Sequence, residues 1–116
     1  MNIDKLPIKI LAKSGLHMRA ELHFVAETVF FAGHFPELPL LPGVVQAHLA
    51  IRVFEENMSL KLNFRGFKNL KFYNPILPGT VAILECDLNT EKKQLTFHYF
   101  QGDSTFSNGV MVLADA

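Results

Sequence analysis

Apolar and polar residues alternate along much of this chain with the two-residue period of half-buried β-strands. The alternation is strict in MRAELHFV (residues 18–25), which predicts that His23 faces water. This segment and PIKILAKS (7–14) flank Gly15 as the two arms of a predicted hairpin. Four further strands are predicted, with polar turns between the last three: LNFRGFKNLKFY (62–73), TVAILECDLN (80–89), QLTFHYFQG (94–102) and FSNGVMVLA (106–114).

One segment has a helical pattern, and it runs from Gly43 to Met58 directly after Pro42. Its apolar residues cover nearly the whole circumference, which predicts a helix surrounded by the sheet: Val44, Val45, Ala47, Leu49, Ala50, Ile51, Val53 and Phe54. One long helix among six antiparallel strands indicates an α+β fold. With 116 residues, the chain is expected to form a single domain over residues 1–116.

Composition argues against several classes of partner. Lys plus Arg and Asp plus Glu both number 11, so no net charge attracts nucleic acid or a lipid surface. No apolar run is long enough to span a bilayer, and residues 1–15 lack the apolar core of a signal peptide. We therefore expect a cytoplasmic protein that binds neither nucleic acid nor membrane. The single cysteine, Cys86, alternates in phase with Leu84 and Leu88 and is expected on a buried strand face.

Two histidines occur in GHFPELPLLPGVVQAHLA, residues 33–50. His34 lies in a loop rich in glycine and proline, and His48 follows fourteen positions later in the predicted helix, on a narrow polar stripe with Arg52 and Glu55. Arg52 and Glu55 are spaced for a salt bridge. Buried histidines need structural partners or a chemical role, and the pattern alone leaves both interpretations open. The spacing of the His and Cys residues gives no metal-binding pattern, and no Ser or Cys nucleophile stands near either histidine.

The segment GHFPELPLLPGVV (33–45) resembles the G-H-F-P-x-x-P-x-x-P-G-V motif of β-hydroxyacyl-(acyl carrier protein) dehydratases. A second segment, NLKFYNPILPGTVAIL (69–84), resembles another block of the same family. The resemblance implies a hot-dog fold, in which an antiparallel sheet wraps around one long central helix. LPGVVQAHLA (41–50) is also similar to a dehydratase-like branch tied to aryl-polyene and related lipid pathways.

The resemblance also implies roles for individual residues. His34 matches the histidine that acts on the α-carbon proton, and the backbone N–H of Gly43 matches the donor to the thioester carbonyl. The family has a carboxylate where this chain has His48, and commonly a glutamine where it has Arg52. An imidazole at residue 48 is a candidate acid for the departing hydroxyl. Four residues are expected either to line the acyl chain or to pack in the core: Phe31, Phe35, Leu41 and Val44.

The sequence therefore predicts dehydration of β-hydroxyacyl thioesters to enoyl thioesters, carried on acyl carrier protein or coenzyme A. No cofactor is expected, because phosphopantetheine arrives with the substrate, and a homodimer or larger homo-oligomer is expected. Arg65, Lys68 and Lys71 either receive an acidic carrier protein or form a solvated strand face. Two alternatives stay open, an acyl thioesterase and a non-catalytic subunit that binds the carrier or a partner.

Overall fold

All six predicted strands and the predicted helix are present in a computed structural model, which describes residues 6–25 and 42–114. The elements are β1 (Ile8–Ser14), β2 (His17–Phe24), α1 (Gly43–Met58), β3 (Phe64–Phe72), β4 (Thr80–Asn89), β5 (Gln94–Gln101) and β6 (Ser104–Leu113). The helix and β4 have the predicted bounds. Strand β6 begins earlier than predicted, at Ser104, because Ser104 pairs with Gln101 across the tight turn at Gly102.

The six strands form one sheet in the order β1-β2-β4-β5-β6-β3. Each neighbouring pair is antiparallel. Along the chain, α1 comes after β2, and β3 then lies at the far side of the sheet beside β6. Within the described residues, β1 and β3 are therefore the edges of the sheet. The predicted α+β class is confirmed.

The strand alternation predicts burial correctly. In β2, the inward-facing residues are fully buried and His23 is exposed, as expected. Cys86 in β4 is buried against the core, again as expected. Burial raises the pKa of the Cys86 thiol above its ordinary value of 9.0, and the charges of Asp87 and Glu85 raise it further.

Helix α1 packs its sheet-facing side into the core, but the prediction that it is surrounded on nearly all sides is wrong at its first turn. Ala47, Ala50 and Phe54 are fully buried, whereas Val44 is 57% exposed. Val44 precedes the buried Gln46 by two residues, and about 200° of helical rotation places it on the side away from the sheet. No helix within the described residues has the length and apolar character needed to cross a membrane.

The predicted salt bridge between Arg52 and Glu55 is also wrong. The Arg52 guanidinium donates to Glu56, one full turn further on, at 3.0 Å. Glu55 instead accepts a 2.8 Å hydrogen bond from the backbone N–H of Leu62. The helix ends at Ser59, whose left-handed backbone (φ 54°) turns the chain back toward β3. Glu55 is therefore occupied in holding the segment that follows the helix.

Candidate active site

The described residues contain three of the predicted site residues: Gly43, Val44 and His48. All three belong to α1. The remaining four predicted site residues lie outside the described residues, and their roles stay predictions: Phe31, His34, Phe35 and Leu41. The part of the site that the structure describes therefore lies around the start of α1.

Within residues 6–25 and 42–114, no side chain caps the first turn of α1. The preceding residue is Pro42, which has no hydrogen-bonding side chain, and the first turn contains no acidic residue. The first hydrogen bond that closes the turn runs from the N–H of Gln46 to the carbonyl of Pro42, at 3.1 Å. The earlier amides, beginning with Gly43, lie at the positive end of the helix dipole, where they favour negative charge. This end of the helix is suited to binding a carbonyl oxygen that develops charge.

The aromatic ring of Phe72, at the end of β3, lies against Gly43. A Cβ atom at residue 43 would lie 2.6 Å from two ring carbons of Phe72, so only glycine fits without a shift of the ring. The same residues line a surface groove of about 510 Å³, together with Val44 and Tyr73. Val44, Phe72 and Tyr73 are each more than half exposed. The groove therefore offers apolar surface directly beside the start of the helix, as ligand sites commonly do.

His48 is half-buried, on the part of α1 that approaches the edge strand β3. Its ring makes edge contacts with the rings of Phe64 (centroids 5.5 Å apart) and Phe67 (5.6 Å). Within residues 6–25 and 42–114, no side chain is hydrogen-bonded to its ring nitrogens. About 7.5 Å of helical rise separates it from Gly43. The two aromatic neighbours fix the orientation of the imidazole while leaving its nitrogens available.

A buried polar cluster near the start of the helix was not predicted from the sequence. Gln46 is 3% exposed and Ser107 is fully buried, and the Ser107 hydroxyl donates to the side-chain oxygen of Gln46 at 2.6 Å. The Tyr99 hydroxyl donates to the backbone carbonyl of Gln46 at 2.8 Å. Burial raises the pKa of Tyr99 well above its ordinary value, so this hydroxyl stays protonated and remains a donor. The sequence contained one signal for this cluster: Gln46 is a polar residue among the apolar residues of the helix, on the side opposite His48.

Comparison with protein families places most of the chain in one family. Residues 11–110 match the ApeI-like family, described as ApeI dehydratase. Over 101 residues the chain is 37% identical to a 3-hydroxyacyl-[acyl-carrier-protein] dehydratase FabZ from Ruminiclostridium cellulolyticum, a match that covers 81% of this chain and 69% of that protein. A FabZ protein from Lawsonia intracellularis is 32% identical over 71% of this chain and 60% of its own length. The chain thus spans roughly two thirds of the length of these relatives.

Solved structures extend the likeness to the fold. A chain of the dehydratase heterocomplex ApeI:P from Xenorhabdus doucetiae superimposes with a TM-score of 0.82, at 27% identity, over 91% of this chain and 96% of that chain. An uncharacterized protein from Erwinia carotovora subsp. atroseptica gives a TM-score of 0.74 at 31% identity, over 91% and 90% of the two chains. The predicted hot-dog fold is confirmed.

Proposed function

Because this chain belongs to the ApeI-like family of dehydratases, we propose that it removes water from β-hydroxyacyl thioesters bound to acyl carrier protein, forming enoyl thioesters for lipid biosynthesis. The family and the reaction class that were predicted from the sequence are confirmed. We further propose which residues perform the reaction, that the chain assembles into a dimer, and that acyl carrier protein docks on β3. It places the reaction in the cytoplasm and requires no cofactor beyond the phosphopantetheine that the substrate brings.

The observation that carries the proposal is the start of α1, which no side chain of the described residues caps, beside a groove with exposed apolar surface. Removing a proton next to a thioester carbonyl transfers negative charge to the carbonyl oxygen. The N–H of Gly43 is the candidate donor to that oxygen, and the helix dipole adds to its effect. The exposed apolar surface of Val44 and Phe72 receives the acyl chain or the pantetheine arm.

Two imidazoles each carry out one of the two proton transfers. Neutral His34 removes the proton from the α-carbon, and the electron pair of that C–H bond forms the new double bond between the α- and β-carbons. Protonated His48 gives its proton to the β-hydroxyl, which leaves as water. His48 stands where the family has a carboxylate, and its ring is held by Phe64 and Phe67 without a described hydrogen bond to its nitrogens. Imidazole changes charge between about pH 5 and 8, which suits either role.

The edge strand β3 supports assembly into a dimer through this side of the sheet. β3 pairs with β6 on one side only within the described residues, and Phe72 and Tyr73 are about half exposed at its end. An unpaired edge with exposed aromatic residues is a surface that proteins usually cover. His48 contacts the same strand, so a dimer formed at this edge would place His48 beside the interface.

Three basic residues are exposed on β3, namely Arg65, Lys68 and Lys71. We propose that they attract the acidic carrier protein. Lys68→Glu with Lys71→Glu is expected to raise KM for the carrier-bound substrate at least tenfold and to leave KM for a pantetheine thioester within twofold. Lys9→Glu in β1 with Lys92→Glu in the β4–β5 turn reverses the same number of charges away from β3, and this control should change neither value. Equal effects on both substrates would refute carrier docking at this surface.

The function itself is tested by incubating the purified chain with a β-hydroxyacyl thioester of acyl carrier protein and identifying the product. An enoyl thioester supports the proposal. Release of free thiol without an enoyl product would identify a thioesterase instead. That alternative is disfavoured because Glu37 is the only acidic residue between Gly33 and Phe54, and thioesterases of this fold usually need a carboxylate near the thioester.

A second candidate function is a subunit that needs a different chain to complete its site. The chain resembles one chain of the dehydratase heterocomplex ApeI:P, and it has His48 in place of the family's carboxylate. If this candidate is correct, the chain alone should form neither enoyl product nor free thiol. Adding a second dehydratase-like chain that carries the carboxylate would then restore activity.

A further inference from the structure

The side of α1 that faces the sheet contains one polar residue, Gln46, among otherwise apolar buried residues. Two hydrogen bonds from different strands end on this residue. Ser107 of β6 donates to its side-chain oxygen at 2.6 Å, and Tyr99 of β5 donates to its backbone carbonyl at 2.8 Å. Ser107 and Tyr99 are fully buried. The first turn of the helix is therefore tied to two strands at a single residue.

Core stability does not require this arrangement. A buried hydrogen-bonded pair contributes little net stability over two apolar side chains of the same shape, because each polar group loses its hydration on burial. Apolar packing is also nondirectional, so it permits a helix to slide or rotate slightly against a sheet. Hydrogen bonds to Gln46 from two strands fix both the position and the rotation of α1 at its first turn.

Gln46 lies in the same helical turn as Gly43, whose N–H is the proposed donor to the thioester carbonyl oxygen. The N–H of Gln46 bonds to the carbonyl of Pro42, and this bond closes the turn that contains Gly43. A shift or rotation of residue 46 consequently moves the N–H of Gly43. Catalytic hydrogen bonds are sensitive to such shifts, since a displacement of about 1 Å can lower a rate roughly 100-fold.

We propose that Gln46 is a positioning residue, held by Ser107 and Tyr99, that aims the Gly43 N–H at the thioester carbonyl oxygen. This inference rests on the proposed dehydratase function. Gln46 acts through the backbone of Gly43. Its contribution should appear in kcat more than in KM, because the carbonyl oxygen gains charge in the transition state.

The decisive variant replaces both partners, Gln46→Leu with Ser107→Ala. Removing both polar groups leaves neither member of this pair buried without its partner, so the double variant should be more stable than either single variant. We expect kcat to remain lower by roughly 10- to 100-fold, with KM within twofold. Each single variant should lose both stability and kcat. Tyr99→Phe, which removes one hydroxyl from a buried ring, should lower kcat in the same direction with the fold intact.

The control is Val53→Ala, a cavity-forming change in the second half of the same helix. It should lower the melting temperature while leaving kcat within twofold, which separates positioning from general destabilisation. A Gln46→Leu/Ser107→Ala protein whose kcat stays within twofold of the wild type would overturn the proposal. So would a kcat loss in Val53→Ala as large as that in the double variant.

The backbone amide of Gly43 gives a readout that does not depend on activity. In the double variant and in Tyr99→Phe, its NMR chemical shift should change relative to Val53→Ala, and the hydrogen exchange of the Gln46 N–H, which bonds to Pro42, should accelerate. An unchanged Gly43 amide in both variants would overturn the positioning role. If the wild-type chain forms no enoyl product, the proposed function fails, whereas the amide measurement still decides whether Gln46 positions Gly43.

Discussion

The ring of Phe72 covers Gly43 so closely that a methyl group at residue 43 would lie 2.6 Å from the ring carbons. The first helical residue and the end of the edge strand thus form one wall of the groove. We predict that Gly43→Ala displaces the half-exposed Phe72 ring and lowers kcat/KM about tenfold by reshaping the groove.

A second substitution distinguishes steric displacement from loss of the amide. Gly43→Ala keeps the backbone N–H, so adding Phe72→Leu should relieve the contact and recover most of the lost kcat/KM. Steady-state kinetics of the single and double variants provide the measurement. If Gly43→Ala retained full activity, the close contact with Phe72 would have no role in substrate binding.

His34 is predicted to be the base that removes the α-proton. His34→Ala should lower kcat by roughly two to four orders of magnitude, the usual contribution of a positioned general base. His23→Ala is the matched control, because His23 is an exposed histidine in β2 and should tolerate the change within twofold. Activity within a few fold of the wild type in a folded His34→Ala protein would exclude this role.

The pH dependence of kcat/KM should report two imidazoles with opposite requirements. A base that must be neutral and an acid that must be protonated give a rate that passes through a maximum and falls on both sides of it. His48→Glu should shift the profile and retain activity, since it restores the family's carboxylate. His48→Phe preserves an aromatic ring beside Phe64 and Phe67. Wild-type rate and profile in His48→Phe would make His48 a packing residue.

The site is predicted to combine His34 of one subunit with His48 of another across a two-fold interface. His34→Ala and His48→Ala proteins, each inactive alone, are unfolded together and refolded as an equal mixture. Half of the dimers are then mixed, each with one intact site, so about a quarter of wild-type activity should return. Mass spectrometry verifies the mixed dimers. If they form without recovery, both histidines act within one chain.

Stability should decrease at alkaline pH through the buried thiol of Cys86. Its pKa is raised in the folded protein by burial and by Asp87 and Glu85, so the unfolded chain releases the proton first, from about its ordinary value of 9.0 upward. The contribution of this thiol to the free energy of unfolding is fully present below that pH and is lost as the pH rises above it. Between pH 8 and 10 the free energy of unfolding should fall by about 1.4 kcal/mol on this account.

Urea denaturation under reducing conditions at the two pH values measures this change. Cys86→Ala should be less stable at pH 8, because it leaves a small cavity, but its loss between pH 8 and 10 should be smaller by about the same 1.4 kcal/mol. Equal losses in the two proteins would show that the thiol is not responsible.

The segments of secondary structure could be predicted from the sequence because their signals are local. Apolar alternation in β2 and β4 and the Pro42-Gly43 pair before α1 depend only on neighbouring residues. The motif around His34 and Gly43 likewise indicated the family and the chemistry. The predicted Arg52–Glu55 pair failed because Glu55 accepts from the N–H of Leu62 once the chain turns at Ser59, and Arg52 donates to Glu56 instead.

The fold decided which distant residues meet around the start of the helix. Ser107 lies 61 positions after Gln46, and neither the strand pattern nor the helix pattern contains the information that they share a hydrogen bond. Likewise, Phe72 meets Gly43, and Phe64 and Phe67 meet His48, only because β3 returns to the edge beside β6. Local propensity determines each element by itself, whereas the sheet order and the helix position determine the contacts between elements, and the proposed site consists of such contacts.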